Sequence, residues 1–112
     1  MQITKASDAN KIKNPHGVNA NKLYDTEYAQ AIHLIIAPGE ALKKHITPVD
    51  VFFYVLEGTG VVEVGTEKQT VSTDTLIESP ARIPHCWYNE SNAPLRILVV
   101  KTPKPTEPTT FC

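Results

Sequence analysis

Residues 38–60 read PGEALKKHITPVDVFFYVLEGTG. Pro38-Gly39 makes a tight turn. From Val51 to Leu56 the chain is uninterrupted apolar and rich in β-branched and aromatic side chains, the composition of a strand covered on both faces. Glu57-Gly58-Thr59-Gly60 breaks that run, Val61 to Val64 resumes it, and Gly65-Thr66-Glu67 turns it again. Two reversals in so short a stretch predict antiparallel hairpins. The Glu-Gly-Thr-Gly turn superficially resembles a phosphate loop, but no helix-forming segment follows it, so it reads as a hairpin turn.

Outward from this stretch, Ala29 to Ile36, Thr75 to Glu78 and Leu95 to Lys101 are further strand candidates, and Leu23-Tyr24-Asp25 starts an edge strand. Nine prolines and five glycines leave no room for a long amphipathic helix. The expectation is an all-β sandwich or barrel. At 112 residues the chain is the size of one domain. Its core is expected at about residues 23–102, after a polar N-terminal segment (1–22) and before a Pro/Thr-rich surface arm (103–112). In the first segment Ser7-Asp8 reads as the cap of a short helical turn, and Asn14-Pro15-His16-Gly17 as a turn. Eleven Lys+Arg against twelve Asp+Glu give a net charge of −1, with no basic footprint for nucleic acid or a membrane surface. The longest apolar run is far shorter than the ~20 residues of a spanning helix, and the first residues lack the apolar stretch of a signal peptide. A cytoplasmic protein is expected, with Cys86 and Cys112 as reduced thiols.

Spacing makes the reading more specific. Gly39, His45 and Gly58 stand where the first motif of the cupin superfamily carries a glycine, its first histidine and a second glycine; Thr47 and Val51 occupy that motif's second histidine and its glutamate. Downstream, Asp74, Pro80, Arg82, His85 and Asn89 fall at the Gly, Pro, Gly, His and Asn positions of the second motif, matching at three of five. Roughly from Ala29 to Val100, the chain resembles a small cupin with an incomplete metal-ligand motif. The resemblance implies a double-stranded β-helix, or jelly-roll, barrel of antiparallel strands. It also implies a divalent transition metal (Zn, Fe, Mn, Ni or Cu) with His45 and His85 at two of the usual four ligand positions.

Strand geometry gives an independent view of the same residues. Positions 45, 47 and 51 share parity and project to one face; His85 and Trp87 share another, with Cys86 and Tyr88 opposite, so Cys86 and His85 do not form a nucleophile-base pair. Two neutral imidazoles hold such a cation weakly, and a third ligand has to come from His33, Asp50, Glu40, Glu78, Cys86 or His16; His33 is the one placed in the site. Glu40, after the Pro-Gly turn, is the candidate general base at the barrel mouth. Thr47, Val51, Phe53 and Trp87 are expected to line the pocket. The plainer reading makes His45 and His85 a neutral hydrogen-bonded pair within a pocket for an organic ligand. The opposite face of the central strand, Phe52, Tyr54 and Leu56, is equally apolar, and its expected cover is a second copy of the chain. Three functions follow: a metal-dependent enzyme of dioxygenase, isomerase or lyase type acting on a small organic substrate; a metal-free small-molecule or sugar-epimerase-like pocket; and a scaffold that reaches a partner through the C-terminal arm. Fold alone does not choose among them.

Overall fold

In the computed structural model, which describes residues 1–12 and 17–112, the apolar run at 51–56 is the middle of an eight-residue strand. A single 3-10 turn at Ala6–Asp8 precedes eleven strands among the described residues. These are β1 (Asn10–Lys11), β2 (Asn19–Asp25), β3 (Gln30–Ile36), β4 (Ala41–Ile46), β5 (Asp50–Glu57), β6 (Thr59–Val64), β7 (Glu67–Ser72), β8 (Leu76–Ser79), β9 (His85–Tyr88), β10 (Leu95–Thr102) and β11 (Thr110–Phe111). They form two antiparallel sheets, one of six strands in the order β1-β2-β3-β10-β5-β8 and one of five in the order β11-β4-β9-β6-β7. This is the all-β, double-stranded β-helix architecture.

Alternation along the strands decides what faces inward. Val51, Phe53 and Val55 of β5, Leu95, Ile97 and Val99 of β10, Leu34 and Ile36 of β3, and Trp87 of β9 form one buried cluster. At one end this interior is packed shut. Trp87 meets Phe53 edge to face, with ring centroids 5.5 Å apart. A Cβ at position 60 would fall 2.5 Å from the Leu95 side chain and 3.1 Å from the indole, so a larger residue there would have to push both aside. Buried Asn89 ties the same end together: its amide donates to the carbonyls of Ile36 and Ala93, and its oxygen accepts from the Ser91 backbone and hydroxyl.

The turns explain the spacing of the glycines. Gly39 and Gly58 have φ of 82° and 91°, and Asp74 and Arg82, the residues at the second motif's glycine positions, keep left-handed backbone at 64° and 66°. The local conformation persists although the residue that makes it easy is gone.

Four sequence expectations shift. Val18 and Ala20 are buried in the cluster, so the core begins before residue 23, and β2 has β1 beyond it instead of forming the edge itself. The 3-10 turn at Ala6–Asp8 has no side-chain cap; the turn read at Asn14 to Gly17 falls mostly outside the described residues. The C-terminal arm is docked: β11 pairs with β4, Lys104 reaches the Asp25 carboxylate at 3.0 Å, and Arg82 reaches Glu107 at 3.2 Å. On the outer face of β5, Phe52, Tyr54 and Leu56 are half-buried and Leu76 of the neighbouring β8 is 51% exposed. This is the face for which the sequence predicts a second subunit. Among the described residues no helix is long and apolar enough to cross a membrane.

Candidate functional site

The end of the interior opposite Trp87 is open. A cavity of about 340 Å³ lies there, walled by Ile32, Leu34, Leu42, Val51, Phe53 and Val99, among others, with polar groups from His45, Thr47, His85, Lys101 and Thr109. That volume and that mainly apolar lining, with a few convergent polar groups, are typical of a small-molecule site.

His45 reaches the cavity through a β-bulge. Leu42 of β4 stands opposite Trp87 of β9, but His45 stands opposite His85, so β4 spends three residues where β9 spends two. The extra residue reverses parity, and even-numbered Leu42 and odd-numbered His45 both face inward. The bulge also turns the Lys43 carbonyl to the imidazole, whose Nδ1–H donates to it at 2.6 Å. Because a carbonyl only accepts, that bond fixes the tautomer: in the neutral ring Nε2 is the acceptor. His85 Nε2 lies 3.0 Å from it and supplies the proton, which leaves His85 Nδ1 to accept from the Ser79 hydroxyl at 2.7 Å. One chain of hydrogen bonds thus runs from Ser79 through both imidazoles to the Lys43 carbonyl, with the Thr47 hydroxyl 3.4 Å from His85 Nε2. Burial holds the His45 pKa below its usual value; the backbone bond opposes this, and the Lys101 charge adds to it. The rings are edge to face at 4.4 Å, and Phe53 packs on His85 at 5.2 Å.

The structure brings His45, Thr47, Val51, Phe53 and His85 together at the cavity. It does not bring the others. His33, expected as the third ligand, lies on the outer face of β3, because Ile32 and Leu34 take the inward positions; its Nε2 accepts from Arg96 Nε at 3.1 Å. Glu40, expected as general base, is exposed and accepts the Ala37 backbone N–H at 2.8 Å, closing the Pro-Gly turn. Trp87 packs the closed end and does not line the cavity. Asp50 points outward and accepts the Ala81 N–H. Glu78 is exposed on the same sheet as Asp50. The Cys86 thiol lies away from His85 and donates to the Tyr88 hydroxyl at 3.4 Å; burial pushes the thiol's pKa up, and that bond pushes Tyr88 up to about 12. His16 lies outside the described residues.

A resident transition metal needs more donors than the described residues offer. No group of three or more His, Cys, Asp or Glu among them could hold a metal ion. Among the described residues, what converges is two imidazoles and a hydroxyl, beside an ammonium in the same cavity. Missing carboxylate charge and added positive charge both weaken a dication's hold.

Sequence reasoning missed Lys101, and a signal for it was available. If Arg96 points to water, then Leu95, Ile97, Val99 and Lys101 all point inward. It also missed Thr109 and Phe111, which reach the cavity from the C-terminal arm.

Over 62 residues the chain is 37% identical to the uncharacterized protein MJ1618 of Methanocaldococcus jannaschii, covering 55% of this chain and 49% of that protein. It is 30% identical over 77 residues to the tetracenomycin polyketide synthase protein TcmJ of Streptomyces glaucescens, covering 68% of this chain and 52% of that one. The chain thus spans about half the length of the curated relatives it matches. Among solved structures, TT1209 from Thermus thermophilus superposes with a TM-score of 0.81 at 31% identity, covering 94% of this chain and all of that one. The family model described as "Cupin domain" matches residues 32–101, the span that carries both histidines of the pair and Lys101, and the chain belongs to that family.

Proposed function

We propose that the protein binds a small, largely apolar organic molecule inside the barrel and presents its polar end to the His45–His85 pair, with no metal held by the described residues alone. The observation that carries this reading is the cavity itself: a mainly apolar wall with its histidines gathered at one place and already hydrogen-bonded to each other. A neutral imidazole pair with fixed tautomers can exchange hydrogen bonds, or a proton, with an oxygen of the ligand, and the depressed pKa of His45 keeps it in the neutral, accepting form near pH 7. The relative named for polyketide synthesis supports small organic chemistry over macromolecular recognition. The docked C-terminal arm argues against the scaffold reading, since its last strand is occupied by β4.

One observation favours a second reading. Two nitrogens bonded to one cation at about 2.0–2.1 Å sit about 3 Å apart when adjacent in its coordination shell, and the two Nε2 atoms are separated by 3.0 Å. Among the described residues only the Thr47 hydroxyl stands beside the paired Nε2 atoms, so a metal held there would take its remaining ligands from elsewhere.

The test is a thermal-shift screen of organic acids, phenols, neutral aromatics and sugars, with metal content measured on the same untagged protein. A binder at one hundred times its Kd stabilises by about 2.7 kcal/mol. Ala20 faces the cavity, and Ala20→Phe fills it. The proposal expects shifts in the wild type that vanish in Ala20→Phe, once circular dichroism confirms that the variant is folded. No shift from any class, or shifts that survive the filled cavity, would overturn it. Stoichiometric metal that disappears in the His45→Ala, His85→Ala double variant would move the assignment to the second reading.

A further inference from the structure

Lys101 is out of place in a pocket of this composition. Among the described residues it is the one formally charged side chain in the cavity wall, and no carboxylate of theirs lines that wall. The strand puts it there: Leu95, Ile97 and Val99 face inward on β10, and Lys101 continues the alternation. Other lysines of the chain have acids beside them. Asp25 takes both Lys22 and Lys104 at 3.0 Å, and Glu63 takes Lys44 and Lys68 at 3.6 and 3.8 Å. Lys101, three residues before Lys104, has no ion-pair partner among the described residues.

Removing an ammonium from water into apolar surroundings is costly unless an opposite charge meets it. Burial accordingly lowers the Lys101 pKa, with no partner to raise it again. The amine also lies close enough to His45 to lower that histidine's pKa through its charge. One negative group seated in the cavity between them would relieve both effects at once.

Resting on the reading of the cavity as a ligand site, we propose that Lys101 is the anchor for an anionic oxygen, so that the pocket selects a small organic acid with an apolar body over its neutral counterpart. The aliphatic and aromatic wall takes the body, Lys101 takes the charge, and the His45–His85 pair meets the same oxygen or its neighbour. Carboxylates and acidic phenols share this chemistry and differ in the geometry of the charged oxygen.

Three probes of one shape separate the possibilities: 4-nitrobenzoate, 4-nitrophenol and neutral 4-nitrobenzyl alcohol, titrated by calorimetry at pH 8, where the first two are anionic, into the wild type, Lys101→Met and Lys101→Arg. The inference expects the wild type to bind at least one acidic probe about tenfold or more tighter than the alcohol. Lys101→Met should abolish that preference, bringing the acid-to-alcohol affinity ratio to about one, and Lys101→Arg should keep most of it. Which acid is preferred, nitrobenzoate or nitrophenolate, tells carboxylate from phenol. Because Lys101→Met removes an uncompensated charge, it should melt at or above the wild-type temperature, which separates lost anchoring from lost folding. Equal binding of acid and alcohol to the wild type, or a preference that survives Lys101→Met, would overturn the inference while leaving the cavity a ligand site. Failure of every probe to bind the wild type would overturn both.

Discussion

Trp87 and His85 lie two residues apart on β9 and face the same interior, yet they belong to opposite kinds of structure. Around Trp87 the barrel is solid: Phe53, Leu95 and the close-packed Gly60 shut on the indole, and Asn89 hydrogen-bonds the surrounding turns. Around His85 the barrel is hollow, and the side chains that reach inward carry hydroxyls, imidazoles and an ammonium. The change takes place within one turn of strand pleat. Short side chains at Val18, Ala20, Thr47 and Val51 leave the space open, and the bulge in β4 turns His45 into it. Close packing at one end and open polar space at the other predict that stability depends mainly on the packed end.

The largest effect should therefore come from emptying the solid end. Trp87→Ala should cost about 3–5 kcal/mol, a large part of the stability of a domain this size. The indole N–H has no hydrogen-bond partner among the described residues, so what is lost is packing, and Trp87→Phe should recover a good part of it. Phe111→Ala, at the hollow end and 43% exposed in the wild type, should cost no more than about 1 kcal/mol. Urea unfolding of the three variants checks the ranking. Comparable losses from Trp87→Ala and Phe111→Ala would break the distinction between the two ends.

An intermediate effect separates the ends by pH. The hollow end contains His45, whose folded pKa is lowered; the side chains that pack the solid end do not titrate. As pH falls, the unfolded chain takes up the histidine proton first, near its ordinary value of about 6.5. Stability is full above that pH and declines as pH falls through it toward the lower folded pKa. His33 on the outer face is shifted the same way, by burial first and then by the Arg96 charge. Urea midpoints should accordingly fall between pH 7 and pH 5. His45→Gln should flatten the slope by at most about 1.4 kcal/mol per pH unit. A slope unchanged in His45→Gln would show that the hollow end does not exclude the proton.

These contrasts also show what was legible in the sequence. The spacing of Gly39, His45 and Gly58, and of Pro80, His85 and Asn89, was enough to identify the fold and bring the two histidines together. Parity alone placed Thr47, Val51 and Phe53 in the wall. Lys101 was hidden because β10 is apolar on both faces, so alternation did not announce which face was inside until Arg96 was used to orient it. His33 was assigned inward for the same reason, on a β3 segment whose two faces differ little in hydrophobicity. The bulge at Lys43 leaves no mark in residue type. The polar strand β7, Glu-Lys-Gln-Thr-Val-Ser, was passed over because its side chains are almost all exposed. The C-terminal arm looked unable to bury a core, but a strand needs only backbone groups to pair, and Thr110 and Phe111 find theirs on β4.

The smallest effect tests the loop that delivers His85 to the hollow end. Arg82 has φ of 66° and its N–H donates to the Thr47 carbonyl at 2.9 Å, so its backbone positions both Thr47 and the Ile83-Pro84 approach to His85. Left-handed backbone costs a residue with a Cβ about 1–2 kcal/mol. Glycine removes that cost, gives back about 0.5–1 kcal/mol through its extra freedom in the unfolded chain, and loses the exposed ion pair with Glu107, worth at most about 1 kcal/mol. The central values nearly cancel, and Arg82→Gly should shift stability by no more than about 1 kcal/mol in either direction. Arg82→Val loses the same ion pair and adds a β-branched side chain where the backbone least accepts one, so it should be less stable than Arg82→Gly by about 1–2 kcal/mol. Matched urea curves decide it: a gap between glycine and valine shows that the motif position is held for its backbone conformation, whereas equal stabilities would mean that the loop relaxes and that Thr47 and His85 are positioned without it.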